Sequence, residues 1–247
     1  MTHAARCTLL LILLGGIALT ARAADPSALW HIVHGRCVPD EQMHHDPAPC
    51  AAVDLAGGYA VLKDIVGNTQ FLLIPTARVS GIEDKAILAP DAPNYFADAW
   101  QARHFVDQRA GHDLPREDLS LAINSIYGRT QNQLHIHIDC IRPDVRAALA
   151  QHAAAIGPHW TAFPVPLAGH HYRALRLDRP DLDTTNPFRL LAESVPQSQM
   201  GAHTLVLVGA VFAGRPGFVL LDDRANLAAG NRGSGEWLQD HSCALAR

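Results

Sequence analysis

Six consecutive residues, Gln133-Leu134-His135-Ile136-His137-Ile138, carry the chemistry most easily read from this chain. Polar and apolar side chains alternate, the pattern of a strand with one face to a core and the other to a cleft or solvent. Residues two apart on a strand share a face, with backbones roughly 7 Å apart. Gln133, His135, His137 and Asp139 therefore form a polar row, while Leu134, Ile136, Ile138 and Cys140 turn inward. Imidazole titrates near neutrality, so two of them on a rigid support can supply a nucleophile, a general base or a pair of metal ligands.

Three readings of the row compete. In the first, His135 attacks phosphorus to form a phosphoramidate that water then opens. Arg129, Thr130, Gln131 and Asn132, immediately upstream, would neutralise the phosphate oxygens, and His137 would hydrogen-bond the phosphate or protonate the leaving oxygen. In the second, His135 and His137 are half of a metal site, completed by Asp139 and by His44, His45, Asp46, His170 or His171, none at a diagnostic spacing. In the third, both are ordinary polar groups on a half-exposed sheet, in a chain that holds 15 histidines.

The elements that must position the row are legible in outline. Ser27 can cap a helix running through Trp30, Ile32 and Val33. Residues 59–64 and 69–74 read as strands flanking a turn at Val66-Gly67-Asn68. A helix is predicted from Asn94 to about Arg109, with Gly111 as its cap. Residues 118–125 and 130–141 read as antiparallel strands meeting across Gly128, and Pro143 opens a helix that Gly157-Pro158 stops. Farther on, 172–177 reads as a strand and 187–193 as a short helix, while 204–212 pairs with 218–222. This last hairpin echoes the one at 59–74, a hint of a degenerate second half within one domain.

Composition sets the class. The 247 residues are 48% hydrophobic and 18% charged, enough for a sizeable core, and the net charge of -4 offers no general attraction to nucleic acid. Arg6, the apolar run Leu9 to Leu19 and the small-x-small pattern Ala21-Arg22-Ala23 read as a signal peptide or uncleaved anchor over residues 1–23, leaving 24–247 as the exported domain. Cys7 falls in the leader. The remaining Cys37, Cys50, Cys140 and Cys243 suit disulfides in an oxidising compartment. Of the three pairings open to four cysteines, Cys37 with Cys50 and Cys140 with Cys243 are favoured, the first closing a Pro-rich loop and the second pinning the C-terminal tail.

Order and spacing together carry a resemblance. Thr69-Gln-Phe-Leu-Leu-Ile-Pro-Thr-Ala-Arg-Val-Ser80, a helix, Asn124 on a strand, Gly128 and then His135-Ile-His137-Ile resemble the histidine triad superfamily. Within it, the leader, Ser120-Leu-Ala-Ile-Asn-Ser125, Cys140-Ile-Arg-Pro-Asp-Val145 and the closing Gln239-Asp-His-Ser-Cys243 resemble the CDP-diacylglycerol pyrophosphatase family, from about Leu29 to Cys243.

The resemblance implies an α+β fold, an antiparallel sheet with helices packed on it. It also implies a hydrolase at the bacterial inner membrane, its catalytic domain on the periplasmic side, that splits CDP-diacylglycerol into CMP and phosphatidate without a cofactor or metal. By position His135 is the nucleophile and His137 the third triad member, whereas Gln133 stands where the superfamily pattern has histidine. Glutamine can orient a neighbour but cannot shuttle a proton. Arg78 occupies a position where many members carry another histidine, and Arg78, Arg129 and Lys63 are candidate cations for a diphosphate, with Asn124 a candidate for ribose or phosphate. The alternatives are a metal-dependent periplasmic enzyme using the two histidines, and a nucleotide- or lipid-binding module without catalysis.

Overall fold

The computed structural model describes residues 25–246, so the leader expected over 1–23, with Cys7, lies outside the described residues. Among the described residues nine strands form a single antiparallel sheet, in the order β1-β2-β3-β5-β4-β8-β9-β7-β6. They are β1 (Ala52–Asp54), β2 (Tyr59–Lys63), β3 (Phe71–Pro75), β4 (Leu119–Ile123), β5 (Ile136–Cys140), β6 (Thr161–Ala162), β7 (Arg173–Leu177), β8 (His203–Phe212) and β9 (Arg215–Arg224). Helices α1 (Ala28–Ile32) and α2 (Val38–His44) run on through a π turn, Val33–Cys37. Later come α3 (Tyr95–Gln101), α4 (His104–Ala110), α5 (Pro143–Gln151) and α6 (Pro187–Ala192). The fold is α+β. Among the described residues no helix is long and apolar enough to cross a membrane.

Strand alternation decides which side chains meet which layer. Leu73, Ile136, Ile138, Leu121, Leu207 and Leu220 pack beneath Phe96, Trp100 and Val106 of α3 and α4 and Phe188 and Leu191 of α6, forming the main core. The opposite face is covered in two patches. Leu29 and Val33 of the N-terminal helix lie on Ala60, Leu72 and Ile74, while Val145 and Leu149 of α5 lie on Val206, Val208, Val219 and Leu221. His137 is flanked in the sheet by Leu72 on one side and Ala122 on the other, one from each patch. The histidine row thus occupies the gap between two covered areas.

The strand order repeats a unit. β2, β3, β4 and β5 lie side by side as β2-β3-β5-β4, and β6, β7, β8 and β9 as β6-β7-β9-β8, each unit interrupted after its second strand by helix. The units join through antiparallel β4 and β8, where Leu121 faces Leu207. Their helices meet edge to face at Phe96 and Phe188, ring centroids 5.0 Å apart. The topological counterpart of the hairpin at 59–74 is therefore β6–β7, and β8–β9 corresponds to β4–β5, a different matching from the one suggested by the sequence echo.

Three local expectations change. The helix predicted over 94–109 breaks after Gln101, because the Arg103 guanidinium bonds the Trp100 carbonyl that a continuous helix would use. Ser27 makes no side-chain cap; its hydroxyl accepts from Arg78 Nη2 at 3.2 Å. β4 and β5 do not meet across a tight turn at Gly128. Ser125 donates its backbone N–H to Gly233 and Ile126 to Gly201, so the intervening segment is drawn to other parts of the chain instead of continuing the ladder. Disulfides join Cys37 to Cys50, tying the N-terminal helix to the loop before β1, and Cys140 to Cys243, tying β5 to the C-terminal segment.

Candidate active site

Between the two covered patches lies a cleft of about 410 Å³. Leu29 and Ile32 of the N-terminal helix and Leu62 and Leu72 of the sheet make an apolar wall, opposed by Lys63, Asp64, Asn124, Thr130, Gln131, His135, His137 and Glu236.

The His135 Nδ1 lies 2.7 Å from the Gln133 carbonyl. A carbonyl oxygen only accepts, so Nδ1 carries the proton and the lone pair resides on Nε2. Burial pushes the His135 pKa down, against the pull of that carbonyl, and keeps the ring neutral. This is the tautomer of an imidazole nucleophile.

His137 is held differently. Its Nδ1 lies 2.6 Å from Gln70 Nε2 and 3.3 Å from Glu236 Oε1, and that amide nitrogen also lies 3.3 Å from the same carboxylate oxygen. Gln70 and Glu236 thus enclose Nδ1, while Nε2 is buried with no protein partner. Burial pushes the His137 pKa down to about 4, against the attraction of Glu236 and Asp64. The two rings meet at a steep angle of 70°, centroids 4.9 Å apart.

Glu236 reaches the cleft from the C-terminal turn Gly235–Leu238. Asn124 Nδ2 donates to its Oε2 at 2.5 Å, and the Asn124 oxygen is itself held by Gly235 N and the Ser234 hydroxyl. Burial opposes ionisation of Glu236, but His137 and the donors Asn124 and Gln70 outweigh it and hold the carboxyl below its usual range. Asp139, the last residue of the row, accepts from the Thr69 hydroxyl at 2.7 Å and from the Cys140 N–H at 2.9 Å. Its other oxygen lies 2.8 Å from His241 Nδ1 and raises that histidine's pKa. Gly67 makes room for this contact, because a Cβ there would sit 2.6 Å from the His241 Cβ.

Of the residues singled out from sequence, His135, His137, Lys63, Asn124, Thr130 and Gln131 line the cleft. Lys63 Nζ donates to the carbonyls of Asp64 and Gly67. Gln131 accepts from Leu29 N and donates to the Asp25 carbonyl, fastening the N-terminal helix over the cleft. Arg78, Arg129, Asn132 and Gln133 lie outside the lining. Arg129 forms a two-pronged pair with Glu83 at 2.6 and 2.7 Å, which neutralises its charge. Arg78 is exposed over the Trp30 ring. Asn132 is exposed, and its backbone N–H bonds Pro26. The Gln133 amide donates to the carbonyls of Pro75 and Ala77, bracing the end of β3. Sequence reasoning missed Gln70, Asp64, Glu236 and His241. Among the described residues, no group of three or more His, Cys, Asp or Glu is gathered as a metal site.

The profile of the CDP-diacylglycerol pyrophosphatase family matches residues 24–247. A protein of Yersinia pestis described as CDP-diacylglycerol pyrophosphatase is 45% identical over 239 residues, covering 96% of this chain and 92% of that protein. With the family matched over nearly the whole length, and a fixed pair of neutral imidazoles in a cleft, the chain is a hydrolase and belongs to the CDP-diacylglycerol pyrophosphatase family.

Proposed function

We propose that this hydrolase cleaves the diphosphate of CDP-diacylglycerol to CMP and phosphatidate, with His135 as a covalent nucleophile in the manner of the histidine triad superfamily. The observation that carries the reading is the Gln133 carbonyl on His135 Nδ1, which leaves the Nε2 lone pair for the cytidylyl phosphorus. The Nε2–phosphorus bond forms, the bond to the phosphatidate oxygen breaks, and the electron pair leaves on phosphatidate. His137 Nε2–H, buried and without a protein partner, donates to the departing or equatorial oxygen. Lys63 supplies the cation of the cleft wall. Water then opens the nucleotidyl-histidine. Gln133 keeps a structural part of the first triad position: it sets the backbone carbonyl that orients His135 and braces the neighbouring loop.

From the lipid half of the substrate we infer that the enzyme works at the periplasmic surface of the inner membrane, held there by an uncleaved leader or as a free exported form. Two features support this. Ile65 and Val66, on the rim of the cleft, are 100% and 48% exposed. The segment that follows the leader is bound at the cleft through Gln131 to Asp25.

The test is CMP release from CDP-diacylglycerol in detergent micelles with excess EDTA. Release by the parent protein that falls at least about a thousandfold in His135→Ala supports the reading. Release abolished by EDTA, or retained by His135→Ala, overturns it.

A further inference from the structure

The hydrolysis of a nucleotidyl-histidine needs a base for the attacking water, and the two histidines are unsuited to it. His135 Nε2 would be esterified, its Nδ1 proton committed to Gln133. His137 serves in the reading above as a donor from Nε2, and its Nδ1 is enclosed by Gln70 and by Glu236 Oε1 at 3.3 Å. Two carboxylates line the cleft. Asp64 is anchored in its own loop, with Oδ1 accepting from Val66 N at 2.9 Å, and its Oδ2 stands 4.0 Å from His137 Nδ1, on the side away from Nε2. Glu236 is held by side chains of two other strands' ends, Gln70 before β3 and Asn124 after β4, one on each oxygen. Each carboxylate oxygen accepts more than one hydrogen bond, so the Glu236 side chain, 26% exposed, keeps acceptor capacity toward the cleft. Its charge is felt at His135 as well as at His137.

We propose that Glu236 is the general base of the second half-reaction, a role that rests on the covalent reading above. A water bound between Glu236 and the nucleotidyl-histidine attacks phosphorus. The oxygen–phosphorus bond forms, one water proton passes to the carboxylate, the phosphorus–nitrogen bond breaks and its electron pair returns to His135 Nε2. CMP leaves, and protonated Glu236 returns its proton to solvent. No oxidant, reductant or co-reactant beyond water is involved. The division of labour is physical: in the reading above His137 donates from its partnerless Nε2, while an ionised carboxylate can only accept.

The experiment follows CDP-diacylglycerol labelled in the cytidylyl group, in micelles, with parent, Glu236→Gln and Asp64→Asn proteins. Phosphatidate release, CMP release and protein-bound label are measured separately. For Glu236→Gln the expected result is a burst of about one phosphatidate per enzyme, label retained on the protein, and CMP release slowed about a hundredfold or more. Azide, a nucleophile that needs no base, should discharge the trapped label as the azidate of CMP, which a merely structural defect would not allow. The same burst and label in Asp64→Asn but not in Glu236→Gln would assign the base to Asp64 and overturn the proposal. So would undiminished turnover in Glu236→Gln, or an equal loss of both half-reactions with no bound label while the parent can be trapped. Should quenching in alkaline denaturant, which preserves the acid-labile phosphorus–nitrogen bond, trap no label on any protein, parent included, the covalent reading itself fails and the role of Glu236 falls with it.

Discussion

His137 on β5 and His135, which immediately precedes that strand instead of lying within it, are distinguished by what holds their Nδ1 atoms: a carbonyl that must accept for His135, and an amide together with a carboxylate for His137. Their burial has a consequence for stability. His137 is pushed from 6.5 down to about 4 and His135 is lowered in the same direction, both by burial. The unfolded chain therefore binds more protons than the folded one between about pH 4 and 6.5. Stability from these groups is full above 6.5 and is lost as pH falls through that window, by on the order of 3 kcal/mol for His137. His241, raised by Asp139, acts oppositely: its contribution is full at low pH and lost as pH rises through its folded pKa. Urea unfolding at pH 7.5 and 4.5 should show a marked loss for the parent and a smaller one for His137→Gln; equal losses would mean that His137 is not the group responsible. The row itself was legible, because period-two alternation needs only neighbours in sequence. Glu236 and Gln70 were not, since a lone acid in a short C-terminal turn and a glutamine before a strand acquire meaning only when folding brings them to the same imidazole.

At the level of elements, the C-terminal segment completes the site. It brings Glu236 to Asn124, places the Gln239 amide on the carbonyls of Ser120 and His137, and sets His241 on Asp139. The Cys140–Cys243 disulfide fastens this segment to β5 across a sequence separation of 103. A loop of that length corresponds to about 5 kcal/mol in a chain-entropy description. Cys243→Ala is therefore expected to lower stability by several kcal/mol and to cut activity at pH 7 more than Cys37→Ala does, because only the former frees residues that touch the histidines. Parallel measurements of melting temperature and CMP release would check this; equal activity losses in the two variants would show that the tail does not build the site. Strand and helix identities were readable from alternation and turn residues. Helix α3–α4 was overextended because an arginine's bond to a carbonyl leaves no trace in periodicity, and the β4–β5 connection was drawn too tight because its backbone partners lie far away in sequence.

The whole molecule is a sheet of two like units, and the cleft that holds the histidines lies in the first of them. In the second unit, α5 lays Val145 and Leu149 against Val206 and Leu221 on the corresponding face. The repeat was only hinted at by sequence because its two halves share strand order and not side chains. An enzyme acting on a bilayer lipid must turn its cleft to the surface, and the cleft's rim carries Ile65, fully exposed, beside Val66. Isolated exposed apolar residues are ordinary. Here the pair borders the cleft and shares it with the N-terminal helix, so under the proposed surface binding a shallow insertion would bring the lipid diphosphate toward His135. Ile65→Asp with Val66→Asp, made in residues 24–247, should lower turnover of CDP-diacylglycerol in vesicles roughly tenfold or more, through weaker surface binding. Neither side chain supplies chemistry, so turnover of a water-soluble, short-chain CDP-diacylglycerol should stay within about twofold of the parent. Vesicle sedimentation with both substrates assayed side by side separates the outcomes. Unchanged vesicle binding and turnover would remove this loop from the membrane contact, and an equal loss on both substrates would place the two residues in the cleft's own packing.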